Sequence, residues 1–185
     1  MLVVDITPAM AHDRSMRIGL TAICLGFAMI TLDATIVNVA LGPMVADLGG
    51  SLAGAQWIVN AYTLSFAALL LTAGALGDRL GARAAFLTGL AIFAVGSAAC
   101  SLAGSLAALI AARVAQGVGA AWLMPASLAL IAHGFPEPKE RRAALAIWGA
   151  ASGIGLASGP VLGGVLVSAV GWPAIFLVNL PVAAV

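Results

Sequence analysis

Asp33 and Arg113 are charged residues set inside long apolar runs, Ile18–Leu41 and Leu106–Ala132. A charge at the centre of a bilayer costs roughly 2.5–3.5 kcal/mol on insertion scales. Helix packing alone requires no such cost. At about 1.5 Å of rise per residue, Arg113 lies roughly 10 Å inside the start of its run, and Asp33 roughly 12 Å inside the end of its own. Opposite charges at matched depth lower each other's cost, so the two are expected to meet. Gln116 and Gly117 follow Arg113 at i+3 and i+4 and carry the polar face further along the helix. Such a constellation can bind a proton or a charged ligand in a water-filled cavity. The alternative is a structural ion pair that locks two helices.

The elements holding these residues follow from composition. Hydrophobic residues make up 63% of the chain and charged ones 8%, against about 25% charged in soluble domains. The chain therefore reads as a multispanning, all-α membrane protein. Its net charge of +1 gives no electrostatic basis for a nucleic-acid partner. Apolar runs of spanning length lie at Ile18–Leu41, Ala55–Leu76, Ala84–Ala103, Leu106–Ala132 and Ala143–Val170. A sixth runs from Trp172 to Val185. It covers roughly 21 Å of a ~30 Å hydrocarbon core, so the sixth helix is expected to be truncated. Residues 1–17 form the expected N-terminal tail, with Met1, Met10 and Met16 all possible starts.

Arg14 and Arg17 precede the first span, Arg79 and Arg83 follow the second, and Lys139, Arg141 and Arg142 follow the fourth. The opposite connections, Gly42–Gly54, Gly104–Ser105 and Gly171, carry no Lys or Arg. The positive-inside rule makes the N-terminus and both basic loops cytoplasmic, with Trp57 and Trp172 near the outer interface. The Ala- and Gly-rich composition suits a bacterial inner membrane. Cys24 and Cys100 read as small buried hydrophobes, and His12 and His133 as solvated residues; no cofactor or metal is expected.

Two further segments carry structure with a purpose. Gly74, Asp78, Arg79, Gly81 and Arg83 crowd the connection between the second and third spans. The glycines permit a tight turn there, and Asp78 can accept bonds from N–H groups at a helix start. Arg79 and Arg83 can pair with Asp78 or with helix C-terminal carbonyls. In the fifth span, Gly155, Gly159 and Gly163 recur every four residues as one smooth stripe, followed by Gly164. Pro160 removes a backbone donor and frees the carbonyl of Leu156, so a bend is expected. Helix packing explains the glycines and not the proline. A dinucleotide fingerprint at Gly153-Ile154-Gly155 fails because no strand precedes it. An intramembrane serine protease fails too, since no histidine lies within a span to serve Ser152 or Ser158. The chain is not read as an enzyme.

Taken together, the motifs resemble those of the fourteen-spanning drug:proton antiporters of the major facilitator superfamily. The segment from Leu32 through Asp33 and Asn38 to Leu41 is similar to their first-span signature, and Gln56 to Leu64 to their second span. Gly74 to Arg83 resembles the superfamily's loop signature. Arg113 to Ala121 resembles the fourth-span motif, Gly155 to Gly164 the antiporter motif, and Trp172 with Ile175–Pro181 the start of the sixth span. Three departures stand out: Ala82 in place of a usual basic residue, Gly42 between Leu41 and Pro43, and Pro173-Ala174 in place of the common Arg-Trp.

The resemblance implies the N-terminal six-helix half of a major facilitator fold, working by alternating access between two halves. It implies proton-coupled efflux of drugs or other small molecules, with a cationic, amphipathic substrate and protons as partners alongside the lipid bilayer. Asp33, Arg113, Asn38 and Gln116 are the implied proton-coupling or substrate residues. The missing C-terminal half, or a second protomer, is the implied protein partner. The alternative is a truncated, non-transporting membrane fragment or half-transporter.

Overall fold

The computed structural model describes the backbone of residues 7–184 and the side chains of residues 16–184. The candidate start Met1, the side chains of His12 and Arg14, and the terminal Val185 lie outside the described residues. The chain folds as α1 (Thr7–Asp47), α2 (Leu52–Leu80), α3 (Ala82–Ser101), α4 (Leu106–Gly134) and α5 (Pro138–Ala169), followed by two short helices, α6 (Ala174–Leu177) and α7 (Asn179–Ala183). Five of these are long and apolar enough to cross a membrane.

Local chemistry sets the helix ends, and it moves most of them beyond the apolar runs. Ser51 caps α2 by accepting from the Gly54 N–H at 3.3 Å, and Ser105 caps α4 by accepting from the Ala108 N–H at 3.2 Å. Pro138 opens α5 five residues before the expected Ala143, because a first-turn proline has a suitable φ and needs no N–H partner. α1 takes in much of the expected tail, starting at Thr7, and continues past Gly42 and Pro43 to Asp47. Between α2 and α3 there is a single residue, Gly81, at φ +87°, a value that side chains with a Cβ rarely adopt. The sixth span differs most from expectation. Gly171 (φ +105°), Trp172 and Pro173 form a turn, and α6 and α7 then run on as one helical segment, with Val178 between them in helical conformation (φ −60°, ψ −23°). Pro181 has no N–H to offer the carbonyl of Leu177, where the first piece ends.

α4 is the axis of the bundle. α2 and α3 pack along it, α1 crosses it, and α5 packs along α1. Glycines permit the close approaches: a Cβ on Gly119 would stand 2.5 Å from the Phe93 backbone nitrogen, and one on Gly117 would stand 2.5 Å from the Tyr62 carbonyl. Two apolar clusters build the interior. One gathers Ile36, Met44, Ile58, Leu109 and Phe176 at the end away from the basic connections. The other gathers Phe27, Ile30, Tyr62, Phe93 and Leu123 nearer the basic end. Asp33 falls between Ile30 and Ile36, and Arg113 between Leu109 and Leu123, so the charged pair sits where the two clusters meet. Trp57 is half exposed at its helix start. Trp172 is buried, its indole N–H donating to Asp47 at 3.0 Å, so it ties the turn to the end of α1.

Candidate functional site

The sequence places one carboxylate on α1 and one guanidinium on α4, and the fold joins them. Arg113 Nη1 donates to Asp33 Oδ2 in an ion pair from which solvent is excluded; the two residues are 1% and 0% exposed. Burying two charges is costly unless every polar atom is satisfied. Here the remaining bonds are supplied from all around. Asp33 Oδ1 accepts from Gln116 Nε2 at 3.2 Å and from Asn179 Nδ2 at 3.1 Å. Arg113 also donates to Gln116 Oε1 at 2.8 Å and, through Nε, to the Ile58 carbonyl at 3.2 Å. Its guanidinium lies 4.3 Å from the centroid of the Tyr62 ring, a cation–π contact strengthened by the absence of water. Cys100 Sγ donates to Gln116 Oε1 at 3.2 Å. Three donors on a carboxylate and a stacked, multiply bonded guanidinium make a preorganised, water-excluded charge centre.

Of the residues expected around this centre, the structure unites Asp33, Arg113 and Gln116. Asn38 lies elsewhere. It is exposed on another face of α1, its amide reaching back to the Ala34 and Thr35 carbonyls at 3.2 and 3.3 Å. Five residues along a helix turn the side chain by about 140°, so Asn38 does not join the buried centre around Asp33.

The Gly74–Arg83 segment is not the loop that the sequence suggests. Gly74, Asp78 and Arg79 belong to α2, Gly81 alone turns the chain, and Arg83 belongs to α3. Asp78 does not cap α3, whose N-cap is Gly81 with no side-chain bond. It makes no ion pair with Arg79 or Arg83 among the described residues. The cause is that α2 continues through Leu80, which leaves Asp78 exposed in the last turn of α2. Arg79 is well placed there for the helix dipole and Asp78 is not.

The fifth-span motif meets α1. A Cβ on Gly155 would stand 2.5 Å from the Ala28 carbonyl oxygen, and one on Gly159 would stand 2.0 Å from Thr35 Oγ1. Gly163 packs against Ile36, while Gly164 has nothing within 4 Å. The carbonyl of Leu156, freed by Pro160, accepts from Thr35 Oγ1 at 3.1 Å; one turn away, Thr31 Oγ1 donates to the Ser152 carbonyl at 3.1 Å. The proline and the threonines are thus parts of one interface.

Sequence reasoning missed Asn179, Ser97, Tyr62 and Cys100 as members of the centre. Depth counting signals two of them. Asn179 comes seven residues after Trp172, roughly 10 Å in, and Ser97 comes six before Ala103, roughly 9 Å in. Both match the level of Asp33 and Arg113. Beside the centre, an apolar recess of about 320 Å³ opens between α1, α2, α4 and α5, lined in part by Phe27, Thr31, Tyr62, Phe66 and Met124. Tyr62 is common to the recess and the ion pair.

Comparison with known proteins places this geometry. The sequence model of the Major Facilitator Superfamily matches residues 23–185. The chain is 45% identical over 174 residues to the methylenomycin A resistance protein of Streptomyces coelicolor, covering 94% of this chain and 37% of that protein. It is 47% identical over 163 residues to the tetracenomycin C resistance and export protein of Streptomyces glaucescens, covering 88% and 30%. It thus spans about a third of the length of these curated relatives. A bacterial homologue of the human lysosomal transporter Spinster, solved inward-facing and occupied, superposes with TM-score 0.74 at 21% identity, over 91% of this chain and 43% of that one. That likeness concerns the fold alone.

Proposed function

The chain belongs to the Major Facilitator Superfamily, and from that premise we propose that it is the N-terminal half of a proton-coupled exporter of drug-like small molecules. Asp33 is the proton site. Arg113, bonded to Asp33, is the counter-ion whose place the proton takes. The recess beside Tyr62 takes the substrate. Its aromatic and methionine walls suit a planar apolar body, and Met124 can adapt to varied shapes. A positive charge on the substrate would be drawn toward Asp33 when Arg113 swings aside. Two curated relatives are named for resistance to, or export of, methylenomycin A and tetracenomycin C, which supports efflux of small molecules as the activity.

The observation that carries this reading is Tyr62. One face of its ring packs on the Arg113 guanidinium, and the same residue lines the recess. A ligand pressing on Tyr62 acts on the ion pair, and breaking the ion pair alters the recess. Differential binding to two states is what alternating access requires. The N-terminus and the basic connections are read as cytoplasmic, in a bacterial inner membrane. The facing half supplies the other wall of the cavity, whether from the remainder of a longer chain or from a second protomer. The Gly74–Arg83 segment, with Asp78 exposed, presents its charges to that half. The Gly155–Gly164 interface with α1 holds one wall of the cavity rigid.

The test is dye efflux from cells or everted vesicles bearing the complete transporter. Asp33→Asn should abolish proton-driven efflux of a cationic dye at unchanged protein level. Normal efflux by that variant would remove the proton role.

A further inference from the structure

Asn179 stands at the start of α7, two residues before Pro181, and is 1% exposed. Its Nδ2 donates to Asp33 Oδ1 at 3.1 Å and to Ser97 Oγ at 2.9 Å. Ser97 Oγ in turn donates to the Phe176 carbonyl at 2.8 Å, three residues earlier in the sixth span. A hydrogen-bonded path therefore runs from the carboxylate on α1, through Asn179 and Ser97, to the backbone of α6. The amide has one unusual feature. Its Oδ1 is the buried side-chain polar atom without a partner among the described residues. Leaving a buried carbonyl unpaired is costly, and native interiors seldom do so without a reason.

We propose that Asn179 is a positioning residue that reads the protonation state of Asp33 and conveys it, through Ser97, to the Phe176 carbonyl in the sixth span, beside the backbone bond that Pro181 omits. The inference rests on the reading of Asp33 as the proton site. When Asp33 is ionised it accepts the Nδ2–H bond, which is strengthened by the carboxylate charge. When a proton from water reaches Asp33 Oδ1, that oxygen becomes a donor, and the unpaired Oδ1 of Asn179 becomes its natural acceptor. Turning the amide over makes this bond and withdraws Nδ2 from Ser97. The Ser97 hydroxyl then re-aims at Asn179 Oδ1 and leaves the Phe176 carbonyl, so the tie between α3 and the backbone of α6 is released. The other titratable or charged groups around Asp33 among the described residues are Arg113 from α4, Tyr62 from α2 and Cys100 from α3. Asn179 itself has no charge at any pH, so it senses the carboxylate without competing for its proton.

The experiment is the pH profile of dye efflux by the complete transporter carrying Asn179→Ala, Asn179→Ser, Ser97→Ala or Asp33→Asn. Losing a donor to the ionised carboxylate moves the pH of half-maximal efflux upward by about one unit in Asn179→Ala, the equivalent of about a tenfold change in proton affinity. The apparent KM for dye stays within about twofold, because Asn179 does not line the recess. Asn179→Ser, which packs a small polar group in the same place, should move the profile in the same direction if the alanine variant does not fold. Ser97→Ala keeps the Asp33 bond and so keeps the midpoint, but slows turnover. An Asn179→Ala or Asn179→Ser transporter with the wild-type midpoint overturns the inference. Asp33→Asn is the control: pH-dependent efflux surviving in that variant overturns the underlying reading instead, whatever Asn179 does.

Discussion

At Arg113 three demands meet: a bond to Asp33, a bond through Nε to the Ile58 carbonyl, and a flat face against Tyr62. Lysine can meet only the first, because its ammonium is a compact point charge without a planar fork. Arg113→Lys should therefore keep the protein inserted and lower efflux more than tenfold, measured at matched protein level. Arg113→Ala leaves a buried carboxylate without its counter-ion, a change that typically costs about 3–5 kcal/mol; it should lower the thermal unfolding temperature in detergent. Asn38→Ala should change stability by no more than about 0.5 kcal/mol, since its amide bonds only to its own helix. Residue type and depth made the Asp33–Arg113 pair legible in the sequence, because a charge in lipid must find a partner. Asn179 and Ser97 were less legible. A neutral polar side chain costs far less to bury than a charge, so nothing marks it until its neighbours are known.

The α1–α5 interface brings a glycine stripe, a proline and two threonines into one device. The stripe could be read from its four-residue repeat, but its partner could not, because a smooth face fits any close helix. Thr35 favours the pairing by offering its one hydroxyl proton to the carbonyl that Pro160 leaves free, in competition with the Leu32 carbonyl of its own helix, both at 3.1 Å. This makes a double-mutant cycle informative. Thr35→Val should destabilise the protein by about 0.5–1.5 kcal/mol, the net worth of a typical hydrogen bond. In a Pro160→Ala background the alanine N–H can take that carbonyl, so the same valine should cost clearly less. Equal costs in both backgrounds, measured by unfolding in detergent, would show that the threonine does not serve the proline. Gly159→Ala should be far more harmful than Gly164→Ala, since the added methyl meets Thr35 in one case and open space in the other.

For the whole molecule, hydropathy located every long helix and misplaced most of the ends. Apolar runs mark contact with lipid, whereas a helix persists until its backbone bonds or caps run out. Hence α1 continues through Pro43 to Asp47, and α5 starts at Pro138. In the sixth span only Pro181 signals the backbone bond missing at the Leu177 carbonyl, since the apolar run itself reads the same with or without it. The direction of crossing depends on charge, and it can be tested without any transport. Both native cysteines are buried, so single cysteines introduced on the surface can be read against a quiet background. The basic connections require Arg79→Cys, exposed at the end of α2, to react with a membrane-impermeant maleimide only in inside-out vesicles. Gly104→Cys, exposed on the opposite connection, must react from outside intact cells. Arg79→Cys removes one cation from the sorting signal, but six Lys or Arg remain on that side: Arg14, Arg17, Arg83, Lys139, Arg141 and Arg142. The topology should therefore hold. Labelling of Gly104→Cys only from the inner face would invert the bundle. The Asp33–Arg113 level, roughly 10 Å from the Gly104 end, would then lie nearer the cytoplasm, and the proton would have to enter from the other side.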